Sequence, residues 1–215
     1  ILEHREELAL LESASMGKPV NDALNMDIPG AAHVMAWYAE SVDKIYAEVA
    51  PTRKGSLATL TREAVGVVAA IVPWNFPLGT TAVGKAFMTY SAQSNLKQVW
   101  LECGGKSANI VFADCQDLDL AAEKAAFGIC FNQGEVCSAN SRLLVERAIY
   151  ADFITRVQAK MEAWAPSHPF DPTAKMGAMV SAAHAQKVIR AIRSAQQEGA
   201  RVLTGGREVE IEGIA

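Results

Sequence analysis

Cys137 follows Asn132-Gln133-Gly134-Glu135-Val136, a turn sequence that closes an expected helix and sets the thiol on a bend. A thiol so placed suits attack on a carbonyl, a reaction that also needs donors for the resulting oxyanion and a base for a later hydrolytic step. Glu102 ends the apolar run Val99-Trp100-Leu101 and is followed by Gly104-Gly105, where the backbone can turn sharply. Burial there would raise its pKa toward the range of a base that activates water. Asn75 stands between Pro73 and Pro77, which restrict the backbone on both sides and aim its amide as a fixed donor. By residue type alone each has an ordinary alternative: a packed thiol, a solvated strand-end carboxylate, a turn-forming asparagine.

The elements that would position these groups alternate. Apolar residues at helical spacing predict a helix over Ile1 to Ala14, stopped at Gly17-Lys18-Pro19, and a second from about Ile28 to Glu48, ended by Pro51. In the second, Val34, Trp37, Tyr38, Val42 and Ile45 share one side. Strands are expected at Ser56 to Thr61, Val65 to Val72, Lys97 to Leu101, Asn109 to Phe112, Arg142 to Val145 and Arg201 to Leu203. Helices are expected after Gly79 and over Leu118 to Phe131, Ala148 to Trp164 and Ser181 to Gln197. The pattern is α/β. Between Pro73 and Ala86 a buried strand leads almost at once into a helix start, leaving no room for a complete βαβ unit.

Half of the residues are hydrophobic and a fifth charged, with a formal charge of −4, the balance of an ordinary globular protein without a basic face for nucleic acid. Cys103, Cys115, Cys130 and Cys137 form no CxxC pair and no zinc spacing, so no metal is expected and the thiols read as reduced. His33, His168 and His184 lack partners at ligand spacing and read as solvated or packing residues. The longest apolar stretch falls far short of the ~20 residues that cross a bilayer, and no basic-then-apolar leader opens the chain, so no membrane role and a cytoplasmic location are expected. Ile1 begins inside a helical pattern and Gly213-Ile214-Ala215 closes no element, so both ends read as cut. Gly79 and Gly84-Lys85 have the spacing of a phosphate-cradling loop, but Ala86 stands where a hydroxyl must reach magnesium.

Three segments occur in order: Pro73-Trp74-Asn75-Phe76-Pro77, Leu101-Glu102-Cys103-Gly104-Gly105-Lys106 and Phe131-Asn132-Gln133-Gly134-Glu135-Val136-Cys137. They resemble the signature segments of the NAD(P)-dependent aldehyde dehydrogenase superfamily, and the 35 positions from Glu102 to Cys137 also fit it. The resemblance extends from Leu11-Glu12-Ser13 through Gly17-Lys18-Pro19 to Met176-Gly177, nearly the whole chain, and is nearest to enzymes oxidising γ-glutamyl-γ-aminobutyraldehyde and related amino-aldehydes. It implies that Cys137 attacks the aldehyde, that the Asn75 amide and the Cys137 backbone N–H hold the oxyanion, and that Glu102 activates the hydrolytic water. NAD or NADP is the implied cofactor, lined by Ile71, Pro73, Trp74, Asn75 and Cys103. Gly79-Thr80-Thr81-Ala82-Val83-Gly84 looks like the family's helix start, in which Gly79, Thr80 and Gly84 meet the pyrophosphate. Gly134 matches the position that gives nicotinamide and thiol room.

The departures are as informative. Family members carry several strands and helices between the first segment and this helix start, including the lysine that holds the adenine ribose, whereas here Leu78 runs directly into Gly79. The downstream glutamate for the nicotinamide ribose and the tail that builds the family's homo-oligomers have no counterpart either. The resemblance thus implies an incomplete aldehyde dehydrogenase-like α/β fold. Residues 1–103 would be a partial, internally deleted Rossmann-type cofactor domain with its junction near 78–79, and residues 104–215 part of the catalytic domain. Two functions are consistent with this: oxidation of an aldehyde to its acid, and a catalytically inactive remnant without a working cofactor site.

Overall fold

Helix α1 (Arg5–Met16) carries Glu6 and Glu7 in its first turn and buries Ala9, Ser13 and Met16, residues three and four apart on one face. Gly17 ends it in the left-handed conformation (φ 82°), its N–H donating to Ser13 O. The Ser13 hydroxyl then donates to Lys18 O at 2.6 Å. Lys18 is 1% exposed, with its ammonium on Glu12 Oε1 at 2.9 Å and on Asp27. A short α2 (Val20–Asp22) and a π-helical turn (Ala23–Asp27) lead without a break into α3 (Ile28–Ser41). The computed structural model describes residues 1–66, 68, 81–101, 103–211 and 213.

α3 is shorter than its periodicity suggests. It ends in a 3-10 turn at Val42–Lys44, Ile45 is extended, and Glu48–Ala50 forms strand β1, paired antiparallel with β2 (Ala58–Leu60). The apolar stripe of Val34, Trp37, Tyr38, Val42 and Ile45 lies more than half exposed, so helical spacing there marks a face without a partner among the described residues. Helix α4 (Thr81–Ala92) stands where the helix after Gly79 was expected. Lys97 to Leu101 forms no strand, nor does Arg201 to Leu203, because no described neighbour completes a ladder; Trp100 is 89% exposed. Of Val65 to Val72, only Val65, Gly66 and Val68 are described, and they form no strand.

The remainder is a βαβ unit. β3 (Ala108–Val111) and β4 (Arg142–Val145) pair in parallel with Ala108 opposite Arg142, joined through α5 (Leu118–Cys130). Asp117 caps α5 by accepting from Leu120 N at 2.8 Å. α6 (Tyr150–Glu162) lies against α5, and Val111, Ala122, Ala125, Phe153 and Val157 form the shared core. Arg156 ties α6 to α5 at the surface through Asp119 (3.0 Å) and pairs with Asp152 within α6 (2.9 Å). α7 (Ala182–Gln197) begins at Ser181, whose hydroxyl accepts from His184 N. No helix among the described residues is long and apolar enough to cross a membrane.

Candidate active site around Cys137

The turn before Cys137 is held by three consecutive left-handed residues, Asn132 (φ 49°), Gln133 (φ 58°) and Gly134 (φ 74°). Only the last is a glycine, so the first two persist because their surroundings impose the conformation. A Cβ on Gly134 would lie 2.9 Å from Ile129 O, so glycine is required there for space as well as for φ. Asn132 is fully buried and donates to Glu135 O at 3.3 Å; Gln133 is 8% exposed and donates from Nε2 to Ala178 O at 3.3 Å.

Ala178 in turn donates its N–H to Gly17 O at 3.0 Å. The two chains approach so closely that a Cβ on Gly17 would lie 2.2 Å from Ala178 O, and one on Gly177 1.8 Å from Gly17 O. The C-terminus of α1, the Gly177-Ala178 segment and the turn beneath the thiol are thus one backbone clasp. Nothing in the local pattern announces Gln133 as its link; the one legible trace is the pair of glycines.

Downstream, Asn140 N donates to Gly128 O at 3.0 Å, so both sides of Cys137 are fastened to the last turns of α5. Cys137 itself is half-buried, and its carbonyl accepts from Gly105 N at 3.1 Å. That bond brings the Cys103-Gly104-Gly105 stretch against the turn that carries Cys137. Cys103 is exposed. Gly84 packs inward, where a Cβ would meet Leu101 Cδ1 at 3.0 Å, so its lack of a side chain lets α4 approach Leu101. Glu102, Asn75, Ile71, Pro73, Trp74, Gly79 and Thr80 lie outside the described residues.

One pair escaped the sequence reading. His184 Nε2 lies 3.3 Å from Glu135 Oε1, and the side chain of Glu135, two positions before Cys137, is 6% exposed. Burial, with the nearby charge of Lys187, lowers the His184 pKa, so a neutral imidazole holds this contact near neutral pH. Cys130, five-hundredths exposed, has its thiol pushed up to about 11 by burial. Among the described residues no three His, Cys, Asp or Glu side chains cluster as metal ligands.

The model of the aldehyde dehydrogenase family matches residues 1–82 and, in a second piece, residues 78–214. The chain belongs to the aldehyde dehydrogenase family. NADP/NAD-dependent aldehyde dehydrogenase PuuC of Escherichia coli (strain K12) is 38% identical over 274 aligned residues, covering 94% of this chain and 55% of that protein. The alignment is longer than the 215-residue chain itself, so that relative contributes residues that have no counterpart here. The crystal structure of γ-glutamyl-γ-aminobutyraldehyde dehydrogenase from Burkholderia cenocepacia J2315 superposes with a TM-score of 0.91 at 38% identity, over 97% of this chain and 56% of that one. Indole-3-acetaldehyde dehydrogenase complexed with NAD+ gives the same score and identity, over 96% and 56%. The chain therefore has part of the aldehyde dehydrogenase α/β fold and spans about half the length of the relatives it matches.

Proposed function

We propose that this chain carries the nucleophile of an NAD(P)-dependent aldehyde dehydrogenase acting on a small amino-aldehyde. The Gly105–Cys137 hydrogen bond carries this reading, because it joins two of the three signature segments at the backbone of Cys137. Cys137 Sγ attacks the carbonyl carbon, and the oxyanion is held by the Asn75 amide and the Cys137 backbone N–H. When bound, the nicotinamide cofactor supplies the hydride acceptor that turns the thiohemiacetal into a thioester. Glu102 takes a proton from the water that cleaves the thioester, releasing the acid and restoring the thiol.

The donor chemistry present suits the nicotinamide and pyrophosphate end of such a cofactor. Gly134 stands at the position that the resemblance to the family assigns to giving nicotinamide and thiol room. In sequence Gly79 and Thr80 immediately precede α4, where they would offer backbone N–H groups and a hydroxyl to the pyrophosphate. Ile71, Pro73, Trp74 and Cys103 would line the nicotinamide side. The relatives support amino-aldehydes as the substrate class: γ-glutamyl-γ-aminobutyraldehyde is named for one of them. Residues 1–103 belong to the cofactor domain and residues 104–215 to the catalytic domain in this reading, and the break in the family match at 78–82 supports a junction near 78–79.

That same break supports a second reading, an inactive remnant whose adenosine-binding walls are absent. Calorimetric titration of NAD+ into folded, monodisperse chain separates the two. Saturable binding is expected for the dehydrogenase; a folded sample that takes up no NAD+ supports the remnant.

A further inference from the structure

Residues 33–40, the second half of α3, are all exposed, although the helix has only one Asp, Glu, Lys or Arg, Glu40, among its fourteen residues. A helix that is apolar on every side is normally buried, because its surface is better removed from water. Val34, Met35, Trp37 and Tyr38, with Val42 in the following turn, are each more than half exposed and crowd one side. Trp37 stands edge-on to Tyr38, 4.9 Å between ring centres. The chain as a whole exposes 15900 Å², where a compact monomer of 23.0 kDa exposes roughly 9,600 Å². The excess, roughly 6,000 Å², is several times the ~1,600 Å² that two partners bury in a stable contact.

We propose that two copies of this chain associate through this side of α3, in an isologous contact that lays the two helices against each other about a twofold axis. None of the five side chains is charged, so meeting its own copy brings no like charges together, and the Trp37–Tyr38 pair supplies aromatic anchors. The flanking charges, Asp27, Glu40 and Asp43 against Lys44, are mostly acidic, which disfavours the other natural cover for an apolar helix, a membrane surface with anionic headgroups. The contact uses neither Cys137 nor the cofactor residues, so it stands or falls apart from the dehydrogenase reading.

Sedimentation velocity of the full chain over a concentration series should show an equilibrium between the 23.0 kDa monomer and a dimer of twice that mass. Trp37→Glu puts a charge into the contact twice, once from each copy, and should weaken association at least about tenfold. Ala36→Glu, also exposed but on the opposite side of the helix, should leave it within about twofold. Circular dichroism checks each variant, and if Trp37→Glu does not fold, Val34→Glu decides by the same criterion. A wild-type chain that stays monomeric, or one that grows beyond the dimer without limit, would overturn the contact. So would association unchanged in folded Trp37→Glu, association weakened equally by Ala36→Glu, or flotation with phosphatidylcholine–phosphatidylglycerol vesicles in place of dimerisation.

Discussion

Gly177→Ala places a methyl group 1.8 Å from the Gly17 carbonyl oxygen, where ordinary contact begins near 3.4 Å. The obstructing atom is backbone, so it cannot swing aside as the end of a side chain would. Relief requires separating the 17–18 and 177–178 segments, which breaks the Ala178 N–H bond to Gly17 O and pulls Ala178 O from Gln133 Nε2. Overpacking costs about 1–3 kcal/mol, and each lost hydrogen bond adds about 0.5–1.5 kcal/mol. A loss of about 3 kcal/mol is a large fraction of the ~5–15 kcal/mol that stabilises a typical domain. In urea denaturation followed by circular dichroism, with a slope of about 1–3 kcal/mol/M, the midpoint should fall by at least about 1 M. Gly30→Ala is the control: a Cβ there meets nothing within 4 Å inside α3, so helix propensity should raise stability by about 0.5–1 kcal/mol. If Gly177→Ala unfolds at the same midpoint as Gly30→Ala, the clasp does not hold the turn.

Lys18→Met leaves Glu12 and Asp27 facing each other without their shared cation and should cost about 3–5 kcal/mol, measured by the same denaturation. A midpoint within error of wild type would mean that the ion cluster is solvated. The folded pKa of His184 lies below its ordinary 6.5, so its contribution to stability is present above pH 6.5 and is lost as pH falls through the lowered value. His184→Gln should flatten that part of the stability–pH curve, and a slope unchanged by the substitution would refute the assignment. With its pKa near 11 and its burial, Cys130 should be alkylated by iodoacetamide at pH 8 at least about tenfold more slowly than exposed Cys103, as read by peptide mass spectrometry. Equal rates would show that the end of α5 opens.

The local elements were legible where a punctuating residue sits beside a periodic run: Gly17 after α1, Asp117 before α5, Ser181 before α7. The thiol's place on a turn was legible for the same reason. Val99-Trp100-Leu101 misled because β-rich composition describes a strand only when a neighbour supplies the ladder. The stretch from Val42 to Glu48 misled differently, since its apolar spacing continues past the point where the backbone turns extended at Ile45. The clasp of Gly17, Gln133 and Ala178, and the contact of Glu135 with His184, join residues far apart in sequence through single atoms, and no local period records them. The signature segments exposed the chemistry only through resemblance, because Asn75, Glu102 and Cys137 taken singly have ordinary structural explanations.

The most direct test of Cys137 as nucleophile is NADH formation at 340 nm by the full chain with 4-aminobutyraldehyde and NAD+, beside the Cys137→Ala variant. The account predicts turnover in the wild-type chain and none in the variant. Equal turnover in both, or none by a folded wild-type chain that binds NAD+, would contradict it.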